Sequence, residues 1–542
     1  MAAATVWDLF QHAVDDSGSR DAVVDPANRS ELCGSAPRRL SFNALQQEVL
    51  SLAAALAASG VRRGDILMVQ LPNTVELPMI YLAAARLGAV ISPAPMQYRA
   101  HELSMIIGSA EPVAIISISR FKGESPLAEF DALVDKGVLD SKILRLCVDG
   151  EAPGWQSLPR LMTDAAPLDR NLPTPDAESL FTLCWTSGTT GTPKGVPRRH
   201  RHWLAMIPSF EDATALPANA SMLAPFPMVN MAAISVFLIY WLSVRGKLVL
   251  HHPMDLSVFL EQIEQEQAVY TVAPPALLSL LLAKPELLDS RDVSSLSIIG
   301  SGSAPLTPGM ITGFKEKLGV DVVNMFGSNE GCCLVSDATD VPDPAARANL
   351  FPRFGAPGFS WHNRIAQSFK TRLVDVDSGN EIVEAKTPGE LLIKGPTVFE
   401  GYWRSEHDND GLFDQEGFFR TGDLFEITGD NNAFYRFVGR NKDLIVRGGM
   451  KISPEEIDQL LSTHPHVLEA AVAAMPDEHL GQRVCAFVVM KDSHTLSLEQ
   501  ICDHLAERGL ARFKWPEKMV QLQALPRNPL GKVVRHTLEN MH

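Results

Sequence analysis

The sequence predicts an α/β protein whose large N-terminal domain holds two parallel-sheet βα units and a small β-barrel, followed by a smaller α+β C-terminal domain. Three observations carry that prediction. Over residues 1–350, short apolar runs of strand length alternate with segments of helical spacing, the pattern of helix-covered parallel sheets. Over 351–440 the texture changes to short strands separated by turn residues, which predicts the barrel or a distorted sheet. After Arg440 helices and strands alternate again over 441–542, a stretch of ordinary domain size. A chain of 542 residues is also too long for one core.

In the first unit, about 1–175, residues 42–59 have helical spacing with Ser41 as N-cap, 65–71 read as a buried strand, 75–87 as a helix and 89–92 as a strand. A helix over 101–109 and a strand over 112–117 follow. Residues 168–177, with Pro173 and Pro175, read as the linker into a second unit, 176–350, that opens with the strand 181–185 and continues through strands at 247–250, 269–273 and 297–300. The barrel region contains 372–375, a turn at 377–380 and 389–394. The last domain offers helices at 454–462 and 497–507 and strands at 468–474 and 483–489.

Composition restricts the function classes. A hydrophobic fraction of 46% with 21% charged residues describes a soluble globular protein. A formal net charge of −16 argues against a nucleic-acid partner, which needs a positive face. Seven cysteines, an odd number without a C-x-x-C pair, describe neither a disulfide framework nor a zinc site, and a reducing cytoplasm fits best. The pair Cys332-Cys333 reads as buried packing. The N-terminus lacks the basic start and apolar run of a signal peptide. Residues 213–244 carry no charge, but Pro217, Pro225 and Pro227 leave an apolar remainder shorter than the roughly 20 residues that cross a bilayer, so a buried helix and no transmembrane segment are expected.

The chemistry begins where the strand 181–185 gives way to Thr186-Ser187-Gly188-Thr189-Thr190-Gly191-Thr192-Pro193-Lys194-Gly195. Glycines admit close backbone approach, hydroxyls donate, and one lysine adds a point charge, so the loop reads as a phosphate cradle with ATP the obvious ligand. Pro193 and Gly195 break the Gly-x-x-x-x-Gly-Lys-Ser/Thr spacing, which excludes an ordinary P-loop ATPase. Gly300-Ser301-Gly302-Ser303-Ala304-Pro305 starts like a dinucleotide fingerprint, but Pro305 stands at the third glycine, and the run reads as a tight turn lining a ligand pocket.

The loop 186–195 is similar to the signature of the adenylate-forming superfamily, in particular the acyl- and aryl-CoA synthetases of the AMP-dependent synthetase and ligase family. Further motifs follow in that family's order. Asn324-Met325-Phe326-Gly327-Ser328-Asn329-Glu330 resembles its Tyr-Gly-x-Thr-Glu element, with Phe326 for tyrosine and Asn329 for threonine. The resemblance implies that Asn324 and Phe326 bind ATP, Phe326 stacking on adenine, that Glu330 holds Mg2+, and that Thr186, Ser187, Gly188, Thr189, Thr190, Gly191 and Lys194 bind the departing phosphates. Arg420-Thr421-Gly422-Asp423 matches the element whose aspartate, here Asp423, accepts from the ribose hydroxyls. Gly439-Arg440-Asn441-Lys442 matches the domain hinge, with Arg440 reaching the ribose and Lys442 as the pivot of a mobile C-terminal domain. Gly448 and Gly449, two glycines before a helix, correspond to a narrow tunnel for a thiol-bearing arm. Pro526-Arg527-Asn528-Pro529-Leu530-Gly531-Lys532 resembles the C-terminal element whose lysine, here Lys532, enters the site for adenylation.

The implied reaction joins a small-molecule carboxylic acid to AMP and then to CoA. Where many relatives carry a histidine near the acid, this chain has Asn230, and with Met231, Gly302, Ser303 and Cys332 it implies a pocket for an apolar aliphatic, alicyclic or aryl acid. An acyl or aryl carrier protein in place of CoA is the close rival, since both present the same thiol. A non-catalytic acyl-nucleotide sensor is disfavoured because Glu330 and Lys532 are both present. A monomer or homodimer is expected.

Overall fold

The computed structural model describes residues 3–541 except 170–171, 187–192, 332, 449, 478, 492–493, 509 and 529–530, with backbone alone at 333, 442 and 451. Two large sheets form most of the N-terminal domain. The first has seven strands in the order Gln156–Ser157, Leu144–Cys147, Ala114–Ser117, Ile66–Val69, Val90–Pro93, Leu180–Thr186 and Lys194–Arg199. All its neighbours run parallel except the last two, which pair antiparallel. The second has eight, ordered Cys333–Ser336, Asp321–Gly327, Ile298–Gly302, Tyr270–Val272, Ser221–Ala224, Lys247–Leu250, Asp21–Val24 and Arg39–Ser41.

The strand feeding the phosphate loop therefore does not open the second sheet, as the linear reading expected. Leu180–Thr186 pairs with Val90–Pro93 through Ile91 and Thr182, while Asp21–Val24 crosses to pair with Lys247–Leu250. Each sheet is completed by a strand from the other's stretch of chain, because apolar strands left at an edge bury their surface wherever a parallel slot is open. One apolar core accordingly takes side chains from both sheets, including Leu67, Ile91, Phe181, Met222, Leu248 and Val323.

Helices fill that core. Phe42–Ala58 starts at Ser41, whose hydroxyl accepts from the Ala44 amide at 3.2 Å. Glu76–Leu87 is buried at every position, as expected of a helix without a polar face. Its two charged residues are matched: Glu76 pairs with Arg29 at 2.9 Å, and the Arg86 guanidinium lies 6.0 Å from the Trp7 ring centre. The uncharged 213–244 stretch ends in the expected buried helix, with one turn type the sequence did not announce. Met231–Ile234 and Trp241–Val244 are α-helical, and Ser235–Tyr240 between them is a π-helix. Among the described residues no helix is long and apolar enough to cross a membrane.

The region expected as a barrel is an open antiparallel sheet of six strands, ordered Phe351–Pro352, Phe434–Arg440, Phe419–Thr428, Gly389–Lys394, Lys370–Val374 and Glu381–Ile382. Among the described residues no pairing joins its two ends. Both end strands are two residues long, and Pro352 has no N–H to donate, so neither supplies the ladder that closure needs.

In the C-terminal domain, Val467–Asp477 and Gly481–Met490 form a long hairpin flanked by Ile445–Arg447, Met450–Ile452 and Lys518–Leu522. Helices Pro454–Ser462 and Leu498–Glu507 bury Ile457, Leu461, Ile501 and Leu505 in its core. This domain meets the six-stranded sheet where the Ser453 hydroxyl donates to the Val438 carbonyl. Gly439 makes the crossing possible: its φ is +153°, and a Cβ there would lie 2.5 Å from Ser453 Oγ and 2.8 Å from Glu455 Oε2.

Candidate active site

The phosphate hairpin is braced from outside. The Trp403 amide donates to the Gly195 carbonyl at 2.8 Å, and the Trp185 indole donates to Ser92 Oγ at 2.9 Å. Thr186 is half-buried and registers against Lys194 across the hairpin. The Lys194 ammonium sits 2.5 Å from Asp408 Oδ1 and 5.1 Å from the centre of the Tyr402 ring. The ammonium beside it helps hold the Asp408 carboxyl below its ordinary range. Ser187, Gly188, Thr189, Thr190 and Gly191 lie outside the described residues.

Glu330 stands on the turn after Asp321–Gly327 and is buried. The Tyr402 phenol donates to its Oε1 at 2.9 Å, and the Phe399 amide donates to its carbonyl at 2.9 Å. Behind the turn, fully buried Arg198 donates to the carbonyls of Asn329 and Thr397, each at 2.8 Å. A buried guanidinium spent on backbone carbonyls is a brace, and here it joins the phosphate hairpin to the Glu330 turn and to the segment carrying Tyr402. Glu330 fits a magnesium ion, which takes one or two carboxylates together with substrate phosphates rather than an all-protein cage. Among the described residues no cluster of three or more His, Cys, Asp or Glu side chains offers such a cage.

Asp423 and Arg440 face each other in register on adjacent strands, with Arg440 Nε 2.8 Å from Asp423 Oδ1. Asp423 is 2% exposed. Burial pushes its carboxyl above the ordinary range; Arg440 and Lys532 pull it back, and Glu330 adds to the rise. Glu330 and Lys532, distant in the chain, thus act on the Asp423–Arg440 pair's carboxylate.

Lys532 acts on Asp423 from the C-terminal domain. Its carbonyl accepts from the Asn528 amide at 2.8 Å and its amide donates to Asn528 Oδ1 at 3.0 Å. The flanks are pinned by Arg527, which donates to the Gly531 carbonyl at 2.7 Å, and by Arg535, which pairs with Asp458 at 2.6 Å and Glu455 at 3.1 Å. Arg535 thereby ties the chain just after Lys532 to Pro454–Ser462, the helix whose start lies beside Gly439.

Other expected positions fare unevenly. Phe326 is half-buried, with Phe425 at 4.9 Å, Phe437 at 5.6 Å and Phe351 at 6.1 Å between ring centres. Both amide hydrogens of Asn324 are committed, to the Arg347 carbonyl at 3.1 Å and the Ala348 carbonyl at 2.9 Å, which leaves its side chain only an oxygen for a further contact. Gly302 is required by strand pairing, since a Cβ would lie 2.1 Å from the Met325 carbonyl oxygen; Ser303 follows, exposed, at φ +69°. Asn230 and Met231 start the buried helix. Cys332 and Gly449 lie outside the described residues. Lys442 falls in the 3-10 turn Asn441–Asp443 directly after Arg440. Gly448 does not lead straight into a helix as expected; it follows Arg447 in a β-hairpin, because Arg447 registers with Met450.

Sequence reading missed Tyr402, Asp408 and Arg198. Gly401-Tyr402-Trp403, two aromatics beside a glycine in turn-rich sequence, was the signal available for the first. Asp408 and Arg198 carry no local signal for these roles, since the contacts that bring them to the site, Asp408 with Lys194 and Arg198 with Asn329 and Thr397, span 131 or more residues of chain.

Residues 10–403 match the family described as AMP-binding enzyme, and residues 456–532 match the AMP-binding enzyme C-terminal domain. The chain is 29% identical over 512 residues to a probable CoA ligase, CCL5, of Humulus lupulus, covering 92% of this chain and 88% of that one. It is 32% identical over 502 residues to an indoleacetate–CoA ligase of Aromatoleum aromaticum, covering 92% of each. Its fold matches ATP-bound MatB from Rhodopseudomonas palustris with a TM-score of 0.81 and 26% identity, over 99% of both chains. With both parts of the family pattern matched and its charged motifs gathered at one site, the chain belongs to the AMP-binding enzyme family.

Proposed function

We propose that this protein is an acid:CoA ligase for an apolar aliphatic, alicyclic or aryl carboxylic acid. The observation that carries the reading is that Asp423 of the large domain, paired with Arg440, feels the charges of both Glu330 and Lys532, the latter from the C-terminal domain. The CoA ligases among its relatives support the thiol acceptor, and the indoleacetate ligase supports an aryl acid.

In the first half-reaction a carboxylate oxygen of the acid attacks the α-phosphorus of ATP, and the bond to the β-phosphate breaks to release pyrophosphate. Both reactants are anions, so the protein's task is neutralisation and in-line placement rather than proton transfer. Asp423 keeps Oδ2 for the ribose hydroxyls while Arg440 holds Oδ1. Lys532 brings positive charge to the reacting end. Glu330, steadied by Tyr402, is the residue that would hold Mg2+, which when bound neutralises phosphate charge. Lys194 tethers the departing phosphates, for which it exchanges Asp408.

In the second half-reaction the CoA thiol, losing its proton, attacks the acyl carbon of the mixed anhydride, and AMP leaves. Rotation about Lys442 withdraws Lys532 and presents the segment of Gly448 and Gly449 to the thiol arm. A panel of acids with ATP and magnesium, assayed for pyrophosphate with and without CoA, tests the reading. Acyl-CoA formation supports it. Adenylate without transfer to CoA, followed by transfer to a carrier-protein pantetheine, replaces CoA with the carrier, and no turnover across the panel overturns it.

A further inference from the structure

The two positions at which this chain departs most visibly from its family's pattern, Asn230 and Asn329, serve one structural purpose. Asn230 Oδ1 accepts from the Ala233 amide at 3.2 Å, as an ordinary N-cap of the helix that starts at Met231. Asn329 belongs to the distant Glu330 turn, yet its Oδ1 accepts from the Met231 amide at 2.8 Å. Its Nδ2 donates in the other direction, to the Trp185 carbonyl at 3.2 Å, one residue before the phosphate loop's Thr186. The orientation of the carboxamide follows from its partners, since an N–H requires the oxygen and a C=O requires the nitrogen. The Asn329 backbone is itself fixed by Arg198 at 2.8 Å.

We propose that Asn329 is a positioning residue that sets the spacing between the strand entering the phosphate loop and the start of the acid-pocket helix. That this helix borders the acid rests on the ligase reading above. Two terminal atoms of opposite hydrogen-bonding character are what the bridge requires. A threonine at this position has a single oxygen on a shorter stem and a methyl group in place of the second atom. With Asn329 in place, the first amide of the helix is spent on a side chain rather than left for the substrate carboxylate. ATP and acid are thereby held on one connected scaffold, with one end of the carboxamide on each side.

The two ends are separable by substitution. Asn329→Asp keeps an oxygen for the Met231 amide but opposes the Trp185 carbonyl with a second oxygen, so only the ATP side is disturbed. Asn329→Ala removes both ends. The full-length protein is titrated calorimetrically with α,β-methylene-ATP, and KM values for ATP and acid are taken from pyrophosphate release. For Asn329→Asp the account expects binding of the analogue to weaken at least tenfold, the KM for ATP to rise in parallel, and the KM for acid to change less than threefold; Asn329→Ala raises both KM values. Thermal midpoints are recorded beside each. A lowered midpoint with unchanged analogue affinity and unchanged KM values, in Asn329→Asp or in Asn329→Thr, overturns the proposal. Because analogue binding needs no acid, weakened binding in Asn329→Asp sustains the proposal even if wild-type protein turns over no acid, an outcome that counts against the ligase reading alone.

Discussion

The Tyr402 phenol donates to Glu330 Oε1 at 2.9 Å while the same ring lies under the Lys194 ammonium, 5.1 Å from its centre. One side chain therefore joins the carboxylate assigned to the metal with the lysine assigned to the departing phosphates. Burial and the adjoining Glu330 charge push the phenol well above its ordinary range, so it remains a donor throughout the working pH range.

Replacing Tyr402 by phenylalanine keeps the ring under Lys194 and removes only the donor. A hydrogen bond to a charged group is worth about 1.5 kcal/mol or more, so kcat/KM for pyrophosphate release falls roughly tenfold. The magnesium concentration needed for half-maximal rate rises as Glu330 loses its fixed orientation. A Tyr402→Phe protein with unaltered rate and unaltered magnesium titration contradicts the role given to this contact.

Acid should destabilise the protein through its buried histidines. Burial, aided by Arg198, Arg201 and Arg199, pulls the His202 imidazole from its ordinary 6.5 down to about 3; burial pulls His200 and His252 to about 4. These folded values lie below the unfolded one, so the stability they contribute is complete above pH 6.5 and is lost as pH falls toward the folded values. The slope is about 1.4 kcal/mol per pH unit for each proton taken up on unfolding. His202→Asn retains an oxygen for the Arg199 amide, which donates to His202 Nδ1 at 3.1 Å, and removes one titrating group. Thermal midpoints measured from pH 7 to 4 should fall less steeply in this variant; parallel curves contradict the assignment.

Gly439→Ala tests the crossing between the domains. The added methyl meets Ser453 Oγ and Glu455 Oε2 at a φ of +153°, so the seating that carries Lys532 to the site is lost. Adenylate formation should fall by more than tenfold, while conversion of a supplied acyl-adenylate to thioester is retained. Equal loss of both, in a protein with normal circular dichroism, contradicts the role of this contact.

Much of this was legible in the sequence because the signals are local. Pro454–Ser462 begins and ends where its Ser453 cap and apolar spacing say it should, and the buried helix after Asn230 is announced by an uninterrupted apolar run. Sheet membership was not legible: Leu180–Thr186 is equally apolar whichever sheet it joins, and only the packed core decides. The same holds for the site. Glu330, Asp423, Arg440 and Lys532 stand in recognisable motifs, whereas Tyr402, Asp408 and Arg198 act through partners distant in the chain. Lys518–Leu522 escaped notice because a five-residue strand interrupted by polar Lys518 and Gln521 has no strong period of its own.

The central claim is that Lys532 serves adenylation from a domain that then withdraws it. The most direct measurement compares Lys532→Ala with wild type in two separate assays, pyrophosphate release from acid and ATP, and thioester formation from CoA and a supplied acyl-adenylate. The account predicts that the first is abolished while the second proceeds within a few-fold of wild type. Equal loss of both half-reactions, or undiminished pyrophosphate release, would contradict it.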